Sequence, residues 1–339
     1  MNRLQPVSPV QATDASARQD PHSALTPSAA TAASRRGVVS TSAAVYRCFF
    51  VSLLTAAAVF SSVAVAQEAH EGKSNDEIAR ELANPNTSLA SLKFRNQYRW
   101  YKGDLPGADD QSNYTLLFQP VFPFPLAPTK NGGKPNVYLR PAIPLVADQP
   151  VPELSDQGLD YNKTTALGDI GFDLAYGVTE KNGFLWALGM VGTLPTATDS
   201  AVAGKQLRLG PEILLAKGEK WGLFGIFPNH QWNLTGWGEG KDNWFSTTTI
   251  QPFLKLTPGG GWAIASEPIM SYDWKAEQWT VPVNLTVNKT TRIGKTPVNF
   301  EVEINYYVDQ PDAFGPEWMI ALNITPIVPN VINNWIRGK

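Results

Sequence analysis

Between Trp262 and Lys289 the chain alternates so regularly that a β-hairpin is the conformation it fits, and its two faces differ sharply. In the second half Trp279, Val281, Val283, Leu285 and Val287 are apolar, while Gln278, Thr280, Asn284, Thr286 and Asn288 are polar. In the first half Trp262, Ile264, Met270, Tyr272 and Trp274 oppose Ala263, Ala265, Glu267, Ser271 and Asp273. Successive strand side chains point to opposite sides, so the hairpin is a ribbon with one apolar and one polar face. A half-buried strand in a soluble sandwich shows the same alternation. Length and aromatic placement separate the two cases: a strand tilted across hydrocarbon needs roughly 9–11 residues, with aromatics at both interfaces. This hairpin has that length and carries Trp262, Trp274 and Trp279 near strand ends, so a membrane hairpin is expected.

The rest of the 339 residues repeat the rhythm. Twelve strands are expected near 91–101, 112–123, 136–146, 166–178, 183–194, 205–216, 221–234, 244–256, 261–273, 278–289, 297–308 and 317–327. Val298, Phe300, Val302, Ile304, Tyr306 and Val308 oppose Asn299, Glu301, Glu303, Asn305 and Tyr307. Strands 183–194 and 221–234 are ambiguous, being apolar in part on both faces. Connections at 179–182, 217–220 and 257–260 are tight, whereas 102–111, 147–165, 195–204, 235–243 and 309–316 are longer. Long connections on one side and short ones on the other match bacterial barrels, and 124–135 breaks the trend. Charged residues make up 17% and aromatics 11%, with 11 Trp, and mean hydropathy is only −0.19. That composition suits alternating strands, and no stretch after residue 66 is apolar enough for a spanning helix. The fold class expected is therefore all-β: a single antiparallel up-and-down transmembrane β-barrel of about 12 strands, residues 91–327, with a short N-terminal helix.

Residues 1–34 are rich in Ala, Ser, Thr and Pro and are expected to be disordered. Arg35, Arg36 and Arg47 then precede an apolar run from Cys48 to Phe60 that ends in Ala64-Val65-Ala66. A basic n-region, a short apolar core and an A-x-A site make 1–66 a leader with a secretory signal peptide, cleaved before Gln67. Its loss takes away five Arg and two Asp, leaving 23 basic against 28 acidic residues, net −5. Neither that nor the whole-chain charge of −2 points to nucleic acid. Cys48 is the single cysteine, so the processed chain has no disulfide or thiolate metal site. Within 67–90, Ser74 to Asn84 reads as a short helix with acids in its first turn, placed either in the periplasm or as a plug in the lumen. Residues 328–339 form a C-terminal extension.

Seven prolines oppose the scheme. Pro120, Pro141, Pro211, Pro228, Pro252, Pro268 and Pro282 fall inside expected strands, where a proline cannot donate to the ladder. Bulges or interface positions are needed to hold them.

Several short motifs occur in order: Leu82-Ala-Asn-Pro-Asn-Thr-Ser-Leu89, Phe118-Gln-Pro-Val-Phe-Pro123, Gly168-Asp-Ile170, Leu194-Pro-Thr-Ala-Thr-Asp199, Gln251-Pro-Phe253, Tyr272-Asp-Trp-Lys-Ala-Glu-Gln-Trp279 and Gly315-Pro-Glu-Trp318. Together they resemble a family of bacterial outer-membrane barrels often labelled neuromedin U. That family looks related to transporter-like barrels linked to the MetA pathway of phenol degradation. The resemblance implies an outer-membrane barrel with a transport role, delivered by the barrel-assembly machinery, and no catalytic residues. The tail from Pro329 to Lys339 departs from it, because such barrels tend to end on an aromatic residue of the last strand.

If the apolar faces meet lipid, the opposite faces line a lumen. Lys93, Arg95, Gln97, Arg99, Arg140 and Arg208 then point inward, with Asp169, Asp173, Glu212, Glu267, Glu301, Glu303 and Glu317. Barrel closure would set Arg95 and Arg99 against Glu317, with Glu303 one strand further. Such residues form either a constriction that selects solutes or an ion-pair network that fills the barrel. His230, between Asn229 and Trp232, invites comparison with outer-membrane phospholipases, but no serine stands in a comparable strand context. The three histidines, His22, His70 and His230, are scattered, and the acidic 148–160 loop lacks EF-hand spacing; no metal or cofactor is expected. Gly259-Gly-Gly261 lacks the Lys and Ser/Thr of a phosphate loop and reads as a turn. Trp237 and Trp244 fit an outer aromatic girdle. The function expected is passive passage of a small solute, apolar or aromatic by analogy, across a bacterial outer membrane. The alternatives are a non-transporting structural or surface-interaction barrel with a plugged lumen, and an outer-membrane lipid hydrolase.

Overall fold

The computed structural model describes residues 73–156, 158–236, 244–336 and 338. The leader, its cleavage site and Trp237 lie outside the described residues. Sixteen strand segments follow one short helix, α1 (Asn75–Ala83). They are β1 (Ala90–Lys102), β2 (Ser112–Pro125), β3 (Lys134–Ser155), β4 (Gly158–Leu167), β5 (Ile170–Thr179), β6 (Phe184–Leu194), β7 (Gln206–Glu219) and β8 (Gly222–Ile226). Then come β9 (Asn229–Gly236), β10 (Ser246–Ile250), β11 (Pro252–Gly259), β12 (Trp262–Ser266), β13 (Met270–Asp273), β14 (Gln278–Ile293), β15 (Thr296–Asp309) and β16 (Gly315–Val328). A six-residue helix, α2 (Val331–Ile336), ends the chain.

Four consecutive pairs, β4/β5, β8/β9, β10/β11 and β12/β13, each continue one stave, so the sixteen segments make twelve staves. Every neighbour is antiparallel, and β1 pairs with β16 from Ala90↔Val328 to Lys102↔Gly315, which closes the barrel. Closure removes the free edge that an open sheet would expose to lipid.

The alternation behaves as the sequence demands. On β14, Asn284, Thr286, Asn288 and Thr290 are buried, while Val283, Leu285 and Val287 are exposed. On β15, Asn299, Glu301, Glu303 and Asn305 are buried, while Phe300, Val302 and Ile304 are exposed. An exposed apolar belt of this extent is wetted only at great cost and belongs in hydrocarbon. Trp221 and Trp262 border it at the tight-turn end, and Trp232, Trp244, Trp274, Trp279 and Trp318 border it at the other. Gly259, Gly260 and Gly261 turn β11 into β12 with φ of +103°, +64° and +75°, angles that side chains beyond glycine rarely adopt.

One expectation needs correction. The 147–165 connection is not a loop: β3 and β4 run on as a paired ribbon from Leu145↔Leu167 to Ser155↔Gly158. The two-sided apolar pattern of 183–194 and 221–234 has a physical reason. Leu185, Ala187, Leu223 and Phe227 point inward and pack with Tyr138, Leu214 and Phe253 in an apolar cluster on one arc of the interior.

The prolines are held largely by facing one another. The β2–β3 ladder lapses between Phe118↔Ile143 and Phe122↔Leu139, where the register sets Pro120 opposite Pro141. The β10/β11 to β12/β13 ladder lapses between Leu254↔Ser266 and Ile250↔Met270, where it sets Pro252 opposite Pro268. One gap thus absorbs two missing donors. Pro282 sits at a bulge beside Val281, and the Pro228 carbonyl accepts from the Ile213 amide at 3.0 Å.

Candidate functional site

The inward faces of β1, β15 and β16 carry a charged ladder. Lys93 Nζ donates to Glu301 at 2.8 Å, and Arg95 Nη2 donates to Glu303 at 2.6 Å. Asn323, on the stave between them, donates to Glu301 at 2.5 Å and reaches Glu303 at 3.5 Å. Asn305 gives Glu303 another bond at 3.0 Å and itself accepts from Asn284 at 2.9 Å. Each carboxylate is therefore held by a cation and by amides, which is what a buried charge requires. Strand register explains the pattern: Arg95 opposes Asn323, and Asn323 opposes Glu301, so the long arginine reaches across one stave to the next.

This differs from the expected pairing. Arg95 faces Glu303, not Glu317. Arg99 donates to Gln97 at 2.6 Å and to Thr115 at 3.3 Å. Glu317 lies 3.7 Å from Lys102, whose ammonium stands half-exposed near the loop end. Around the ring, Lys255 Nζ lies 3.0 Å from Glu267, and Arg140 Nε lies 3.8 Å from Asp173. The Arg140 guanidinium also lies over the Tyr138 ring, 4.3 Å from its centroid, at the border of the apolar cluster. Glu212 is buried on β7, next to that border. Arg208 sits 3.8 Å over the Phe245 ring. The interior is thus uneven: the charged ladder lines β1, β15 and β16, while the apolar cluster lies on β3, β5 to β8 and β11, sharing those staves with Arg140, Asp173 and Glu212.

Lys255, Asn284, Asn305 and Asn323 belong to this interior although sequence reasoning did not single them out. A signal for Lys255 existed: Leu254 and Leu256 are exposed on the outer face, which leaves Lys255 inward. Pro252, two residues before Leu254, hid that phase.

Both ends are covered. At the tight-turn end the segment 73–89 crosses the mouth. The Lys73 carbonyl accepts from Arg292 at 2.7 Å, and Asp76 accepts from the Gly261 amide. On the opposite arc Asn86 donates to the Lys134 carbonyl at 3.2 Å and to Thr179 at 3.0 Å, and Asn136 donates to the Thr87 carbonyl at 2.9 Å. Ile78 is fully buried against Leu89 and Ile327. Ser74 caps α1, accepting from the Glu77 amide at 3.2 Å while Glu77 accepts from the Ser74 amide at 2.6 Å. Those bonds from Ser74 hold the Glu77 carboxyl below its ordinary value.

At the loop end Asp169 accepts from the Ala197 and Gly204 amides at 3.0 and 2.7 Å, pinning both shoulders of the 195–205 loop. Val202 of that loop packs on Val146 and Ala166. Asp169 thus acts on a loop rather than within the charged ladder. The 103–111 and 310–314 loops lock together through the Asp104 backbone amide, which donates to the Asp312 carbonyl at 2.8 Å, and Tyr101 stacks on Phe314 with ring centroids 4.7 Å apart.

On the outer wall His230 stands between two hydroxyls, Nδ1 at 2.7 Å from Thr248 and Nε2 at 3.1 Å from Ser246. A serine therefore does lie beside this histidine, contrary to the sequence reading. Ser246 is buried, and the 246–249 backbone is engaged in ladders with β9 and β13. An oxyanion there would find no preformed pair of free amides. Trp274 donates to Thr248 at 2.8 Å, completing a satisfied polar patch within the aromatic girdle. The 148–160 acids lie on the β3/β4 ribbon, and no group of three metal-ligating side chains occurs among the described residues.

No protein-family model matches the chain, and no curated protein matches it. Solved structures do. An outer membrane channel from Pseudomonas putida F1 aligns with a TM-score of 0.50 at 12% identity, over 70% of this chain and 95% of that one. The NanC porin aligns with a TM-score of 0.42 at 11% identity, over 70% and 99% of the two chains. The beta domain of the Bordetella autotransporter BrkA aligns with a TM-score of 0.36 at 7% identity, over the same shares. The first likeness is to the barrel fold, in agreement with the closed ladder described above.

Proposed function

We propose that this protein is a bacterial outer-membrane channel for a small solute, with its tight-turn end and both described helices in the periplasm. The carrying observation is the make-up of the interior: across from the Lys93–Glu301 and Arg95–Glu303 ladder lies an apolar cluster that includes Tyr138, Leu214, Phe227 and Phe253. Water-filled pores use rings of charge, whereas an interior with an apolar arc also accommodates the body of an aromatic solute. An aromatic or apolar solute carrying one polar group fits both sides. The sequence resemblance to transporter-like barrels supports the same class, and the leader supports export. Insertion by the barrel-assembly machinery is part of this proposal.

A second reading, a plugged barrel that conducts nothing, is favoured by α1 across one mouth and the pinned loops across the other. Planar-bilayer recordings separate the two. The channel reading expects stepwise conductance whose ion selectivity changes in Glu303→Gln, and a larger conductance in Ile78→Asp, which should expel α1. Silence in both the wild type and Ile78→Asp would leave the plugged barrel standing.

A further inference from the structure

The wall has a slot. Residues 267–269 lie between β12 and β13, within the membrane belt, and make no backbone–backbone hydrogen bond to any described residue. On one flank the ladder stops at Leu254↔Ser266 and resumes at Ile250↔Met270. On the other it stops at Ala265↔Thr286 and resumes at Ser271↔Thr280. The register is the same above and below each gap, so the staves run side by side there without main-chain bonds. Three prolines border the slot: Pro268 within it, Pro252 on one neighbour and Pro282 on the other. Neither Pro252 nor Pro268 has a donor, so no bond can re-form between them, and Pro282 removes one donor from the other flank.

In hydrocarbon an unsatisfied main-chain group is costly, and a spanning barrel normally bonds all of them. Here side chains substitute. The Glu267 amide donates to Asn284 Oδ1 at 2.8 Å, Gln251 Nε2 donates to the Glu267 carbonyl at 3.4 Å, and Lys255 pairs with the Glu267 carboxylate at 3.0 Å. Side-chain ties can swing away and find other partners, whereas ladder bonds fix the backbone. The second facing pair, Pro120 and Pro141, provides a contrast. It is unbonded on one flank only, because β1–β2 and β3–β5 stay paired through those residues. The slot at 267–269 is slack on both flanks.

A shallow apolar groove of about 600 Å³ runs from Phe184 and Leu215 across Phe224 and Leu254 to Ser266 and Pro268 at the edge of this slot. Phe253, which also borders the groove, belongs to the inward apolar cluster. Bilayer-facing groove, unbonded wall and apolar interior arc are therefore contiguous.

We propose that 267–269 is a lateral portal through which a small apolar solute passes between the barrel interior and the bilayer, the outer groove being its docking site. The inference rests on the interior being a solute path, as in the channel reading. Parting the wall breaks the Asn284, Gln251 and Lys255 ties to Glu267 and no ladder bond.

The test locks the slot. In a Cys48→Ser background, Pro268→Cys with Val283→Cys places thiols at facing register positions on the lipid side. Benzophenone, a small apolar aromatic that inserts into nearby C–H bonds on irradiation, is added to proteoliposomes, and adducts are mapped by mass spectrometry. The expected result is labelling of inward Leu185, Leu214 and Leu223 in the reduced protein, its loss on oxidation, and its return with dithiothreitol. Groove residues Phe224 and Leu254 stay labelled throughout. Pro268→Val with Pro282→Val, which restores two donors, should lose inward labelling without any disulfide. A heat-dependent gel shift shows that each variant is folded. Inward labelling that survives both the disulfide and the proline replacements overturns the portal, as does its absence from the reduced protein. Ion conductance recorded on the same variants reports the channel reading separately: a portal that fails leaves conductance intact.

Discussion

Arg95 is the side chain whose environment is most demanding. It is almost wholly buried, and Glu303 is its charged partner at 2.6 Å. Removing one member of such a pair strands the other charge, at about 3–5 kcal/mol, whereas replacing both by apolar groups of similar volume is often neutral. Arg95→Ala should therefore lower the denaturation midpoint in detergent markedly, and Arg95→Met with Glu303→Leu should recover most of the loss. A double variant no better than Arg95→Ala would mean that Asn305, Asn284 and Asn323, which bond to Glu303 or to one another, depend on the carboxylate more than Arg95 does. If the barrel conducts, the two should also differ in ion selectivity, because Arg95→Ala leaves Glu303 unpaired whereas the double variant removes that rung and keeps Lys93–Glu301.

The elements most open to manipulation are the covers, and the cap of α1 uses an ionised Glu77. Glu77 has a folded pKa below its ordinary 4.5, because the Ser74 amide and hydroxyl bond to its ionised form. Its contribution to helix capping is fully present above 4.5 and is lost as pH falls through the lowered folded value. Amide exchange across 75–84, corrected for intrinsic rates, should speed up on acidification below 4.5 and stay flat from there to neutrality. In Glu77→Gln that acid-dependent step should vanish; a step of unchanged size would sink the assignment to Glu77. Among the strands, the contrast between β14, bonded without interruption to β15 from Pro282 to Ile293, and the broken β12/β13 stave beside it locates where the wall is stiff and where it is slack.

At the scale of the molecule, stability comes from closure as much as from burial. β1 and β16 pair from Ala90 to Lys102, with a lapse at Leu92 and Lys93 and a bulge at Trp100, so no free edge remains to fray, and the apolar belt faces outward instead of forming a core. Such a body should stay folded in detergent, run faster on gels before boiling than after, and precipitate when detergent is withdrawn. Survival as a soluble monomer after detergent removal would contradict the lipid-facing assignment of Val283, Leu285 and Ile304. The same design explains why charges in the interior pair across staves: with lipid outside, they have nowhere else to turn.

Alternation alone determined a great deal. A period of two ties each side chain to a face, so the twelve staves, the lipid side and the inward positions of Arg95, Glu301 and Glu303 were all legible before any coordinates. The prolines, the ambiguous strands and the ion-pair partners were not. Whether Pro252 faces Pro268, whether Arg95 reaches Glu303 past Asn323, and where the segment around α1 lies are questions of register between strands distant in the chain. Register is fixed only when the barrel closes, because shear, stave count and the meeting of β1 with β16 are joint properties of all the strands. Local pattern decided which way each residue points; closure decided what it meets there.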